Sequence, residues 1–146
     1  MAEGVLRTLK GQVIEVLDKP NKNGRLYSKE LIENDVLNDG IVQEQLNSHS
    51  MFGMFEPSWD EYMVDMSKVS HCVTNLYIED GKLKADIDIL DTPSGRIVNE
   101  MLNNNVSIVS TLNGRGDLRA EPDGKYLEVE NYSFDYISLN IGEKKE

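Results

Sequence analysis

The chain is poor in the residues that staple small folds or bind metals. Its 146 residues include one cysteine, Cys72, and two histidines, His49 and His71. A single cysteine excludes an internal disulfide framework and any zinc site built on several thiolates. Two histidines do not make a His-rich centre, so no metal and no other cofactor is expected. Cationic side chains are scarce as well. There are 15 Lys and Arg against 26 Asp and Glu, a formal net charge of −11. A field of that sign repels phosphate backbones and anionic lipid, so neither nucleic acid nor a membrane surface is an expected partner. Apolar runs are short, and none approaches the roughly 20 residues needed to span a bilayer. Met1-Ala2-Glu3-Gly4 lacks the basic and apolar regions of a secretion signal. The expected compartment is a reducing cytoplasm.

What is present suffices for one folded domain. Apolar residues make up 39% and charged residues 28%, a mix too apolar for disorder and too polar for a membrane protein. A chain of this length buries about two-thirds of its unfolded surface. Residues 1–141 read as a single domain and residues 142–146 as a polar tail, with no internal repeat and no long linker.

Local patterns outline the elements. Val5 to Leu17 has the β-branched and apolar content of a strand, with a break at Gly11. Asp18 to Gly24 is a turn. Ser28 has the form of an N-cap, and Leu31, Ile32, Val36 and Leu37 give a helical stripe that Ile41, Val42, Gln45 and Leu46 continue after a kink at Gly40. The strongest signal is a β-hairpin, Val69–Ile78 and Lys82–Ile89, around Asp80-Gly81. Leu83, Ala85, Ile87 and Ile89 alternate with Lys82, Lys84, Asp86 and Asp88, which predicts one buried face and one wet face. Thr92 and Pro93 start a helix, with Ile97, Val98, Met101 and Leu102 as its expected inward stripe. Val106–Leu112 and Tyr132–Ile141 are predicted strands, with a further turn at Pro122-Asp123-Gly124. Strands clustered in hairpins with few helices predict an α+β fold. The expectation is a mainly antiparallel β-barrel or sheet flanked by about three helices.

Five blocks, in order, resemble the prohead maturation proteases of tailed phages, whose fold is shared with the herpesvirus assemblins. They are Asn21-Lys22-Asn23-Gly24-Arg25-Leu26-Tyr27; Val69-Ser70-His71; Ile89-Leu90-Asp91-Thr92-Pro93-Ser94-Gly95-Arg96-Ile97; Val109-Ser110-Thr111 with Gly114-Arg115-Gly116; and Phe134-Asp135-Tyr136-Ile137. The third is the best single marker. The resemblance implies that fold and a setting inside a phage head. The expected partners are the major capsid protein or other head proteins, in a homo- or hetero-oligomeric particle, after synthesis in the host cytoplasm.

The departures bear on chemistry. Enzymes of this family cleave peptide bonds with a serine that a histidine deprotonates. The resemblance places that histidine in a Gly-x-x-x-His-Pro stretch, and here the stretch reads Gly53-Met54-Phe55-Glu56-Pro57. Phe55 or Glu56 stands where the base should be, and neither replaces imidazole in acyl transfer. Ser110 aligns with a family serine only if Leu112-Asn113 is an insertion, which would disturb an oxyanion-binding loop. No catalytic residue is therefore expected. The expectation is a catalytically inactive member serving as an auxiliary or decoration subunit of a phage capsid. The alternative is an active maturation protease with a rearranged constellation of Ser110, His71 and Asp135.

One segment is apolar without a clear period. Met51 to Met66 carries Phe52, Met54, Phe55, Trp59, Tyr62 and Met63. Methionine and aromatic side chains are enriched at interface hot spots. These six residues are the candidate partner-binding set, in the segment where a protease would keep its catalytic cleft.

Overall fold

The computed structural model describes residues 4–122 and 124–143. In chain order the elements are β1 (Val5–Val16), β2 (Arg25–Leu26), α1 (Lys29–Ile32), α2 (Gly40–Asn47), β3 (Phe52–Met54), β4 (Val69–Glu79), β5 (Lys82–Leu90), α3 (Pro93–Asn103), β6 (Ile108–Ala120) and β7 (Leu127–Ile141). A π-helical turn at Glu33–Leu37 follows α1, and a 3-10 turn at Met66–Lys68 precedes β4.

The β4–β5 hairpin is the centre of the first sheet. Asp80 and Gly81 both take positive φ, 55° and 73°, as a tight two-residue hairpin with right-handed strand twist requires. Leu83, Ala85, Ile87 and Ile89 are fully buried, so the period-two reading places the core face correctly. The opposite face is drier than expected at one position. Asp86 is nearly buried because β1 is bulged across it: the Gly11 amide donates to its Oδ1 at 2.9 Å, and Lys10 stands 3.7 Å from Oδ2.

β1 pairs with the free side of β5 and β3 with the free side of β4, giving the antiparallel order β1-β5-β4-β3. The second sheet has the order β2-β7-β6, with a long antiparallel β6–β7 pair and a short parallel β2–β7 pair. β6 and β7 extend the strands expected at Val106–Leu112 and Tyr132–Ile141 toward the turn at Pro122. Of the turn predicted there, Asp123 lies outside the described residues, as do residues 144–146 of the predicted tail. A core of Ile14, Ile32, Val36, Val73, Ile87, Ile137 and Leu139 fills the space between the layers.

Among the described residues the architecture is α+β with antiparallel sheets and three α-helices, and it is not a closed barrel. β1 runs beside β6 without a ladder between them. On the other side, β3 is only three residues long, and a single parallel bridge, Phe55 to Leu139, links its extension to β7. Among the described residues, no helix is long and apolar enough to cross a membrane.

Helix boundaries follow their caps. Ser28 Oγ accepts from the Leu31 amide at 3.0 Å. The expected kink at Gly40 is a full break, because Asp39 Oδ1 accepts from the Ile41 and Val42 amides and starts a new helix. In α3, Thr92 Oγ1 accepts from the Gly95 amide at 3.0 Å and donates to the Val69 carbonyl at 2.6 Å. Gly95 is pressed onto the sheet: a Cβ there would lie 2.9 Å from the Ser70 carbonyl oxygen and closer still to that of Leu90. That contact sets the helix's rotation. Val98 is fully buried, and Met101 and Leu102 pack partly against the core. Ile97, expected to face inward, is 52% exposed. At about 100° per residue it points roughly 200° away from Gly95.

Candidate functional site

His71 lies in the interior strand β4 with no solvent exposure. Its Nε2 donates to the Ile137 carbonyl of β7 at 2.8 Å, so the neutral ring must carry its proton there. Nδ1 is then the acceptor for the Ser70 hydroxyl at 2.7 Å. Burial pushes the ring's pKa down to about 4, only partly opposed by the bond to Ile137. The imidazole is a neutral tie between the two sheets. Gly53 is its counterpart, since a Cβ at that position would lie 2.6 Å from His71 Cε1 and nearer to Nε2 and the Ile137 oxygen. The glycine of one block and the histidine of another are thus two halves of one close approach.

Ser110 stands in β6 opposite Leu139 and is 3% exposed. Ile108, Ser110 and Leu112 are all buried on the core side of this sheet, while Val109, Thr111 and Asn113 alternate to the other side and are partly exposed. Asp135 takes Arg115 Nη2 at 3.3 Å on its Oδ1. The three residues of the rearranged constellation are therefore held in different settings. His71 has both nitrogens engaged, Ser110 is turned into the core, and Asp135 is paired with a cation. His49 is exposed in a loop at φ 55°, and its carbonyl accepts from the Cys72 thiol at 3.4 Å.

The stretch aligned with the family's histidine does reach the serine block. Phe55 bridges to Leu139, and Leu139 pairs on its other side with Ser110. At the next residue the chain turns away, with Glu56 in the left-handed region at φ 49°. The Glu56 amide donates to the Leu139 carbonyl at 2.8 Å, and its Oε2 accepts from Asn140 Nδ2 at 2.9 Å. Asn140 Oδ1 accepts from Ser138 Oγ, which accepts from Asn113 Nδ2, each at 2.8 Å. This polar chain across the outer face was not anticipated. Its only signal in the sequence is the run of Asn and Ser at alternate strand positions. Its donors and acceptors satisfy one another, so it anchors the 55–57 segment to the sheet rather than presenting an activated group.

The rest of that segment crosses the same face. Tyr136 Oη donates to the Glu61 carbonyl at 2.9 Å, and Arg115 lies 5.4 Å over the Tyr62 ring. The six candidate contact residues divide accordingly. Met54 is buried and offers nothing to a surface partner, its Sδ accepting from the Asp65 amide at 3.4 Å; Phe52 and Phe55 are half-buried. Trp59, Tyr62 and Met63 are exposed, together with Met66. Among the described residues, no group of three or more His, Cys, Asp or Glu is placed to hold a metal ion.

The remaining family-like blocks also have local structural roles. In Asn21–Tyr27, Asn21 Oδ1 accepts from the amides of Asn23 and Arg25, and Tyr27 meets Tyr132 edge-on at 5.7 Å. The block at Thr92–Gly95 is the cap and the close contact of α3. No family model matches the chain, and no curated protein matches it significantly. Among solved structures, the bacteriophage T4 capsid assembly protease gp21 is similar, with a TM-score of 0.79 at 14% identity, over 93% of this chain and 92% of that one. The chain therefore has an α+β fold similar to that of a phage prohead protease.

Proposed function

We propose that this chain is a catalytically inactive protein of prohead-protease fold. In this reading it is a structural, auxiliary or decoration component of a phage capsid, residing in the virion after synthesis in the host cytoplasm. The observation that carries the reading is His71. The one histidine near the fold's centre is buried, neutral and bonded through both nitrogens, so it is not free to take a proton from Ser110. The similarity to a capsid assembly protease supports a setting among capsid proteins. The exposed part of the candidate contact set, Trp59, Tyr62 and Met63, supports a protein partner over a peptide substrate. The second reading, the rearranged protease, draws on the similarity to a protease and would need Ser110 to become accessible and His71 to give up one of its hydrogen bonds.

The test has two arms. A fluorophosphonate probe should leave Ser110 unlabelled, and purified heads should retain the chain at high copy. Labelling of Ser110 that is lost in Ser110→Ala would overturn the inactive reading. Absence of the chain from mature heads would overturn the structural one.

A further inference from the structure

Exposed apolar side chains are concentrated in one stretch of chain, between β3 and β4. There Trp59 is 90%, Met63 82% and Met66 65% exposed, and Tyr62 lies open with them. Ile41, Ile97, Leu118 and Ile141 are exposed singly elsewhere, and isolated residues of that kind are ordinary on a protein surface. The stretch is held in shape. Tyr136 Oη donates to the Glu61 carbonyl, the Ser58 amide donates to Glu61 Oε1 at 3.0 Å, and Asp65 Oδ1 caps the turn at Met66–Lys68 by accepting from the Ser67 amide at 2.9 Å. Its aromatic and methionine side chains thus stand on a fixed crest.

The charge on the crest is mostly of one sign. Residues 55–68 carry Glu56, Asp60, Glu61 and Asp65 against a single cation, Lys68, and Lys68 is already engaged by Glu61 Oε2 at 3.4 Å. Among the described residues, Asp60 makes no side-chain hydrogen bond or ion pair, and it adjoins Trp59 in the chain with both side chains exposed. An open aromatic face together with an unpaired carboxylate is the chemistry that takes an arginine. The guanidinium lies on the ring, and its N–H fork bonds the carboxylate. The crest already holds one arginine in this way: Arg115 lies 5.4 Å over the Tyr62 ring and donates through Nη2 to Asp135 Oδ1 at 3.3 Å.

Building on the reading of this surface as a protein contact, we propose that the crest binds an arginine-bearing cationic segment of another protein. A guanidinium of that segment stacks on Trp59 and pairs with Asp60, and its methylene stems cover Met63 and Met66. Charge complementarity selects this occupant. A purely apolar partner would bury Asp60 without a counter-charge, and an acidic one, a second copy of this crest included, would meet it with repulsion.

The experiment uses the full-length chain and three labelled peptides, of alanine alternating with arginine, with lysine or with citrulline, the uncharged isostere of arginine. Trp59 is the only tryptophan, so its emission reports on the crest, while anisotropy of the label reports binding. The arginine peptide should bind saturably and change the Trp59 emission, the lysine peptide should bind more weakly, and the citrulline peptide should not bind. Affinity for the arginine peptide should fall as salt rises. Trp59→Ala should lose about fivefold or more, and Asp60→Asn about two- to fivefold, each variant checked for folding by circular dichroism. Glu30→Gln, in an acidic cleft that shares no residue with the crest, should bind as the wild type does. No binding of the arginine peptide at low salt, equal binding of the citrulline peptide, or unchanged affinity in Trp59→Ala and Asp60→Asn would each overturn the proposal. So would Trp59 emission that changes with the concentration of the chain alone and not with peptide, which would assign the crest to a second copy. Retention of the chain on heads without peptide binding would overturn the cationic partner and leave the head-protein reading standing. Peptide binding by a chain absent from heads would do the reverse.

Discussion

Replacing Gly53 by alanine tests whether His71 is a structural tie. The added methyl group would sit 2.6 Å from His71 Cε1 and closer to Nε2 and the Ile137 carbonyl oxygen. Neither neighbour can yield easily, since one is a buried ring bonded at both ends and the other is backbone in the central strand of its sheet. Overpacking of this kind costs about 1–3 kcal/mol. If the ring is displaced, a buried donor loses its acceptor, at about a further 1–3 kcal/mol. Alanine restricts the unfolded chain and returns about 0.4–1 kcal/mol. The net expectation is a loss of about 3 kcal/mol, a large share of the 5–15 kcal/mol typical of a domain. In urea titrations the midpoint should fall, and the melting temperature should drop by roughly 6–12 °C. The His71 Nε2 proton should lose its protection from exchange in NMR spectra. A change below about 0.5 kcal/mol, with that proton still protected, would refute the close-approach argument.

Three further outcomes follow from the same geometry. His71 titrates at about 4 in the folded chain against 6.5 as a free group, so the unfolded state binds its proton first as pH falls. Its contribution is fully present above pH 6.5 and is lost between 6.5 and 4, by about 3 kcal/mol at 1.36 kcal/mol per pH unit; stability measured against pH should be correspondingly flatter over that window in His71→Gln. Thr92→Ala removes both the α3 cap and the bond to Val69 and should cost about 1–2 kcal/mol in chemical denaturation, most of it recovered by Thr92→Ser. Ile87→Ala, in the closed core, should cost about 2–5 kcal/mol, whereas Ile97→Ala should change the stability of the monomer by less than about 0.5 kcal/mol.

The two halves of the candidate site have different consequences for function. Phe55 and Ser110 flank the same residue of β7, so the segments that would carry the base and the nucleophile of a protease do converge. What the convergence brings together is an aromatic ring, a serine turned inward and a carboxylate bonded to Asn140. The segment then continues over the outer face of the sheet and presents Trp59 and Met63 to solvent. In the proposed reading that surface serves association with a protein rather than turnover of a peptide.

Sequence alone determined what depends on neighbours along the chain. The alternation at Leu83–Ile89, the turn at Asp80-Gly81 and the caps at Ser28 and Thr92 are local, and each appears where its residues place it. The absence of a histidine between Gly53 and Pro57 is equally local, and the expectation of an inactive protein rests on it. Tertiary structure decided whatever rests on contact between distant segments. The rotation of α3 comes from Gly95 meeting Leu90 and Ser70, which turned Ile97 outward although its spacing suits an inward stripe. The burial of Asp86 comes from a bulge in β1, some 75 residues away in the chain. The division of the Met51–Met66 segment into a buried part and an exposed part comes from pairing with β4 and β7. The neutrality of His71 comes from a carbonyl 66 residues later. Periodicity reports which face of an element is apolar. Only packing decides which face is covered, because that depends on where backbones approach too closely to admit a side chain.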